Sequence, residues 1–346
     1  MIRVALIGFG YAGRVFHAPL LSATPGLALR VIGSRQQERA VSAYPGAQVI
    51  SDPLEAIRHR DVDLVVIATP NDSHASLAHA ALTAGKHVVV DKPFTITLAE
   101  ARGLAAKSAE VDRILSVFQN RRWDSDFLAM SRELSIDRIG DVVELRSEMS
   151  RYRPVVRDRW RERAGPGSGI WYDLGPHLID QVLLLFGPPE TVQADLRVQR
   201  SGGSTIDWFL ALLGYGSKRV VIASSMIAAH PPTRFLVRGT KGSLIKRRGD
   251  PQEDQLVREE KPGSDGWGRD SDPLLLVTGP TETALEIVAP AGNYLAYYSS
   301  LRDAILGKRE PPVTAAQAVT VMAVLEAGIQ SSSEGCVVRP LYNEGD

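Results

Sequence analysis

Short, almost unbroken apolar runs punctuate the first third of the chain, at residues 2–7, 29–32, 64–68, 88–90 and 114–118. They are rich in Val, Ile and Leu and lack polar alternation, which predicts strands buried on both faces. Helical patterns separate them. Residues 73–84 carry Leu77, Ala78, Ala81 and Leu82 on one helical face, and a second helix is predicted over residues 98–109. Thr97 followed three residues later by Glu100 reads as a capping box for that second helix. Strand and helix in alternation predict a doubly wound parallel sheet covered on both sides.

Beyond about residue 120 the pattern changes. A helix over residues 124–134 and a strand over 142–150 precede a basic, aromatic stretch at 151–163 and the loop Gly165-Pro166-Gly167-Ser168-Gly169. A helix over 172–186 follows, then consecutive strands over 191–199, 208–215, 220–226 and 233–238. Such a run predicts a mostly antiparallel sheet. Residues 249–280, rich in Gly, Pro and charge, read as a long surface excursion, and helices near 294–306 and 315–331 close the chain. The fold class is α/β: an N-terminal Rossmann domain over residues 1–120 and a C-terminal α+β domain over 121–346. The last helices are free to pack back on the first domain.

Composition narrows the function classes. Forty basic and forty acidic residues cancel, so no global field favours nucleic acid or an anionic membrane. One cysteine, Cys336, allows neither an intramolecular disulfide nor a cysteine metal cluster. A strand beginning at Ile2 leaves no room for a signal peptide, and no apolar stretch approaches the roughly 20 residues that span a bilayer. A cytoplasmic protein is expected.

Gly8-x-Gly10-x-x-Gly13 follows the first strand and precedes a predicted helix, the context a dinucleotide-binding turn requires. The first glycine permits the turn, the second lets backbone approach a pyrophosphate, and the third lets helix pack on strand. The helix N-terminus then offers unpaired N–H groups to phosphate. An NAD site usually ends its second strand in an acid, but here the strand ends Gly33-Ser34-Arg35. Ser34 and Arg35 suit a 2′-phosphate, so NADP is the expected cofactor, with NAD the alternative. Thr69-Pro70-Asn71-Asp72-Ser73-His74 leaves the next strand and should lie beside the cofactor. Asn71 or Ser73 also suits a helix cap, and His74 either packs at the helix start or meets the cofactor.

Two further groups carry chemistry. Asp91-Lys92-Pro93 ends the run His87-Val88-Val89-Val90, placing a lysine where doubly wound folds keep ligands. Desolvation and Asp91 act in opposite senses on that lysine. Asp173 and His177, four apart, share a face if their segment is helical, with Gly175-Pro176 close to the helix start. An imidazole oriented by a carboxylate is the usual acid/base group near neutral pH, although such a pair also serves structure. No third ligand is spaced to make a zinc site, so no metal is expected.

In this order and spacing, Gly8–Gly13, Asp91-Lys92-Pro93 and Asp173-x-x-x-His177 resemble the Gfo/Idh/MocA oxidoreductase family, whose tripeptide is usually Glu-Lys-Pro. Longer stretches extend the resemblance along essentially the whole chain, among them Asn120-Arg121-Arg122-Trp123-Asp124, Arg157-Asp158-Arg159-Trp160-Arg161-Glu162 and Gly167-Ser168-Gly169-Ile170-Trp171-Tyr172-Asp173. Together they resemble the YdgJ-like bacterial oxidoreductases and the NADP-dependent scyllo-inositol dehydrogenases.

The resemblance implies that Lys92, Asp173 and His177 meet over a nicotinamide, with Lys92-Pro93 cis. Lys92 would polarise the reacting oxygen, His177 exchange the proton, and Asp173 orient His177 or the substrate. It implies cofactor contacts from Gly8, Gly10, Tyr11, Ala12, Gly13, Ser34, Arg35, Thr69, Pro70, Asn71, His74, Asp91 and Lys92. Asn120, Arg122, Tyr152 and Trp160 would join the catalytic residues around the substrate, Tyr152-Arg153 and Arg159-Trp160 offering aromatic faces with donors. Such a cluster also suits an interface. The implied activity is NAD(P)-dependent interconversion of a secondary alcohol and a ketone on a cyclic polyol, scyllo-inositol first. A sugar or sugar-acid dehydrogenase and a non-catalytic cofactor-binding regulator are the alternatives. Pairing of the second domain's sheet implies a homodimer or homotetramer.

Overall fold

The computed structural model of the protein describes residues 1–230, 232–279 and 283–342. They form two compact units, the first built from residues 1–120, 252–267 and 293–319, the second from the described residues of 121–251, 268–292 and 320 onward.

The first unit is built on six parallel strands: β1 (Ile2–Ile7), β2 (Leu27–Gly33), β3 (Gln48–Ile50), β4 (Leu64–Ile67), β5 (His87–Val90) and β6 (Leu115–Val117), in the order β3-β2-β1-β4-β5-β6. Every residue of β4 and β6 is buried, as expected of strands covered on both faces. The strand order reverses between β1 and β4, and a doubly wound sheet opens a crevice at such a point. Helix Leu98–Glu110 begins with the predicted box: the Thr97 hydroxyl accepts from Glu100 N–H at 3.2 Å, and the Glu100 carboxylate accepts from Thr97 N–H at 3.1 Å. β3 was not foreseen. Three residues beginning with an exposed Gln48 make too short an apolar run to register.

The second unit holds an eight-stranded sheet: β7 (Val142–Glu148), β8 (Thr191–Arg197), β9 (Trp208–Tyr215), β10 (Lys218–Ser225), β11 (Phe235–Gly239), β12 (Gly242–Lys246), β13 (Leu274–Thr278) and β14 (Thr283–Ile287). β7 and β10 pair parallel, and every other pairing is antiparallel. Alternation sets one face inward: Val192, Ala194 and Leu196 on β8, Phe209, Ala211 and Leu213 on β9, and Val220 and Ile222 on β10 are buried.

Three expectations need correction. The sequence pattern did not reveal β12, β13 or β14. Residues 249–279 are no surface excursion either, since Gln252, Gln255, Trp267 and the β13 leucines are buried. The amide side chains disguise that burial in the sequence. Gln252 Oε1 accepts from Trp267 Nε1 at 3.1 Å and Tyr294 N at 2.7 Å, and Gln255 Nε2 donates to Gly266 O at 3.2 Å. Finally, helix Gly169–Phe186 starts earlier than expected, so Pro176 lies inside it and removes one intrahelical hydrogen bond.

Candidate active site

In the first unit, backbone hydrogen bonds run in series across the carboxyl ends of the strands. Ser34 N donates to Ile50 O, Gly8 N to Gly33 O, Ala68 N to Ile7 O, Asp91 N to Ile67 O and Phe118 N to Val90 O, all at 2.8–2.9 Å. This ladder brings the glycine turn, the Ser34–Arg35 tip, the Thr69 loop and Asp91-Lys92 onto one edge.

At that edge the glycines have separate reasons to be glycine. Gly8 has φ of +96°, and a Cβ there would lie 2.5 Å from Ala68 O. A Cβ on Gly13 would lie 2.0 Å from Gly8 O, so the turn closes directly against the following helix. Gly10 is different: a Cβ there would meet no protein atom within 4 Å. Space kept open beside the backbone at the second glycine, between two sterically locked ones, fits a pyrophosphate of a dinucleotide cofactor. Gly10→Ala is therefore expected to leave stability within about 0.5 kcal/mol, as for an exposed substitution, while weakening NADPH binding roughly tenfold or more. Gly13→Ala should lose both fold and binding. Thermal denaturation and NADPH fluorescence titration separate the two, and unchanged NADPH affinity in Gly10→Ala would refute the assignment.

The other cofactor-side residues take up distinct positions. Ser34 is buried at the β2 tip, its hydroxyl accepting from Gln36 N at 3.0 Å, and Arg35 beside it is exposed. Tyr11 is exposed, Asn71 is buried, and the Ser73 hydroxyl donates to Thr69 Oγ1 and Pro70 O, both at 2.7 Å. His74 is buried, with Nδ1 2.9 Å from Pro93 O and Nε2 3.0 Å from Thr69 O. One ring thus spans the loops that leave β4 and β5.

The Lys92-Pro93 bond is cis, as the resemblance implied. Beneath it runs a buried chain that sequence reasoning missed. Burial, assisted by Tyr297 and Asp91, pushes the Tyr298 phenol well above its ordinary pKa, and its hydroxyl lies 2.6 Å from His17 Nδ1. On the other side of the ring His17 Nε2 lies 3.8 Å from Asp91 Oδ1, beyond hydrogen-bond distance. Asp91 Oδ1 in turn accepts from Lys92 N–H at 2.8 Å. Burial opposes the Asp91 charge, but His17, Lys92 and His74 outweigh it and hold the carboxyl below its usual range. His17 lies in a π-helical turn, Gly13–His17, immediately after the glycine turn, and such turns recur at functional sites. The one sequence clue was a histidine in an otherwise apolar helix start.

In the second unit, helix Gly169–Phe186 carries Asp173 and His177 one turn apart on a common face. His177 is buried, Asp173 is half-buried, and Arg161 Nε lies 3.7 Å from Asp173 Oδ1. The next turn of the helix is anchored by charge. Arg122 grips Asp180 with two hydrogen bonds, Nε to Oδ2 at 2.8 Å and a second nitrogen to Oδ1 at 2.7 Å. Gln181 donates to Arg121 O at 2.9 Å and accepts from Arg234 at 2.6 Å. Arg122, expected near substrate, is thus bound to the helix that carries His177. Asp180, Gln181 and Arg234 were not foreseen, since their partners lie more than fifty positions away in sequence. Asn120 is buried at the end of the first unit. Tyr152 is exposed, and Trp160 lies under the Arg161 guanidinium at 4.6 Å. Among the described residues no group of three or more His, Cys, Asp or Glu could hold a metal ion, and no helix is long and apolar enough to cross a membrane.

A six-stranded Rossmann sheet with an open glycine cradle defines the first unit as that of a dinucleotide-binding oxidoreductase. The NAD-binding Rossmann profile of the oxidoreductase family matches residues 2–119, and the family's C-terminal alpha/beta profile matches residues 132–339. The chain belongs to the Gfo/Idh/MocA oxidoreductase family. It is 47% identical over 333 residues to the uncharacterized oxidoreductase YdgJ of Escherichia coli, covering 96% of each chain. It is 36% identical over 338 residues to the scyllo-inositol 2-dehydrogenase (NADP(+)) IolW of Bacillus subtilis, covering 96% of this chain and 94% of that one. A solved structure from Klebsiella pneumoniae shares 46% identity and a TM-score of 0.94, with 99% of this chain and 97% of that chain covered.

Proposed function

We propose that the protein is an NADP-preferring dehydrogenase that interconverts a secondary alcohol and a ketone on a cyclic polyol or sugar, with scyllo-inositol as the first candidate. The observation that carries this reading is Lys92 at the sheet edge that also bears the open glycine cradle, its backbone N–H bonded to a carboxylate held ionised by His17. The scyllo-inositol 2-dehydrogenase activity of IolW, at 36% identity over nearly the full length, supports the substrate class. Residues 1–120 serve the cofactor and residues 121–346 the substrate.

Gly8, Gly10, Ala12 and Gly13 would hold the pyrophosphate, and Ser34 with Arg35 the 2′-phosphate. The bound nicotinamide supplies hydride exchange, so the protein contributes placement and proton handling. Lys92 binds and polarises the reacting oxygen. His177 accepts the hydroxyl proton on oxidation and returns it on reduction, and Asp173 orients it.

The test is a spectrophotometric panel of inositols, aldoses and sugar acids with NADP and NAD in parallel. Turnover with kcat/KM for NADP above that for NAD is expected, and Arg35→Ala should reduce that ratio by roughly tenfold, the worth of one charge-assisted contact. No turnover of any alcohol would leave a cofactor-binding regulator as the better reading. A ratio unmoved by Arg35→Ala would sink the NADP assignment.

A further inference from the structure

Residues Arg151 to Arg163 contain six arginines and two acids, and the acids are already engaged. Asp158 pairs with Arg163 at 2.7 Å, while Glu162 pairs with Arg159 at 2.6 Å and with the buried Arg200 at 3.0 Å. Arg153 has no carboxylate within ion-pair distance among the described residues. Its backbone is nonetheless clamped on both sides: its N–H donates to Met226 O at 2.6 Å, and its carbonyl accepts from Arg200 at 3.1 Å. Tyr152 before it bridges to Ile227. A half-buried guanidinium on a fixed stem, without a counter-ion, is costly to keep, and a guanidinium fork matches carboxylate and phosphate geometry.

Burial lowers the Arg153 pKa, and the charges of Arg151, Arg159 and Arg157 lower it further. The carboxylate whose field opposes them is Asp173, which shares the His177 face and lies 3.7 Å from Arg161. Arg153 is therefore a cation close to one of the proposed catalytic residues, and a neutral polyol would not pair with it.

We propose that the substrate carries an anionic group, a carboxylate or a phosphate monoester, which the Arg153 guanidinium receives while its hydroxyl carbon reacts. This rests on the dehydrogenase reading and, within it, puts an anionic sugar ahead of scyllo-inositol. Arg153 is a specificity residue, acting through KM.

The experiment compares D-glucose with D-glucuronate and D-glucose 6-phosphate, and includes scyllo-inositol, on wild type, Arg153→Gln and Arg153→Lys. One anionic sugar is expected to exceed glucose and scyllo-inositol in kcat/KM by roughly 10–100-fold, the range for a hydrogen bond to a charged group. Which of the two does so identifies the anion. The advantage should vanish through KM in Arg153→Gln and return in part in Arg153→Lys, which keeps the charge. Neutral substrates turned over as well as the anions, or an advantage that survives Arg153→Gln, would overturn the proposal. If no compound is turned over, the dehydrogenase reading fails separately, and calorimetry on NADPH-loaded protein decides this one. Binding of glucuronate or glucose 6-phosphate, absent with glucose and lost in Arg153→Gln, supports it; equal binding or none refutes it.

Discussion

Lys92→Ala is expected to lower kcat by roughly 10²–10⁴-fold, the usual cost of removing one group from acid/base and polarising duty. NADPH affinity should stay within a few-fold, because the glycine cradle is built from the turn after β1 and does not depend on the lysine side chain. His177→Ala should lose activity on the same scale. The two losses should not multiply in the double variant, since groups that serve one transition state act as a unit. Steady-state kinetics with parallel NADPH titrations test all three. Near-normal kcat in both single variants would remove Lys92 and His177 from the chemistry. Loss of NADPH binding in Lys92→Ala would instead mark the lysine as a cofactor-binding residue. Arg122 offers an internal contrast. Its guanidinium is bound to Asp180, so its replacement should disturb the helix that carries His177 rather than remove a group from substrate.

Arg234→Met should destabilise the second unit by about 3–5 kcal/mol, the cost of leaving a buried charge without its partner. Arg234 is buried, and its guanidinium meets Asp126 at 2.9 Å, the Ser147 hydroxyl at 2.6 Å and Gln181 Oε1 at 2.6 Å. Methionine fills much of the volume but strands Asp126, whose side chain is fully buried. The double variant Arg234→Met, Asp126→Leu should recover most of the loss, because replacing both charges by apolar groups of similar size is often neutral. Urea denaturation reads both effects. If Arg234→Met cost under about 1 kcal/mol, the level of an exposed pair, the network would not be a structural anchor. Since Gln181 sits one turn beyond His177, a change in kcat that accompanies the single variant and reverses in the double would tie the anchor to the placement of the histidine.

Some of this was legible because it is local. The strands of the first unit announce themselves as Val, Ile and Leu runs, since a strand covered on both faces has no polar side to display. The Thr97–Glu100 box and the Gly8–Gly13 turn are legible for the same reason, their partners lying within a few residues of one another. The spacing of Asp173 and His177 needed only a helix to bring them onto one face, and the helix Gly169–Phe186 supplies it.

The features that read poorly depend on partners distant in sequence. β12, β13 and β14 arise from pairing, and β13 hides in a stretch whose polar residues are buried by mutual hydrogen bonding. His17 looked like one more helix residue until the fold set Tyr298 at one ring nitrogen and Asp91 at the other. Arg122 and Arg153 are alike in sequence, two arginines in basic stretches. Tertiary structure alone decides that the first is held by Asp180 and that the second has no carboxylate within ion-pair distance among the described residues.

The sequence by itself determined the doubly wound first unit, the glycine turn and the helical spacing of Asp173 and His177, since these rest on backbone sterics and short-range periodicity. The tertiary structure decided which of the charges are paired and which stand unmatched, because that depends on the three-dimensional proximity of groups the chain keeps far apart.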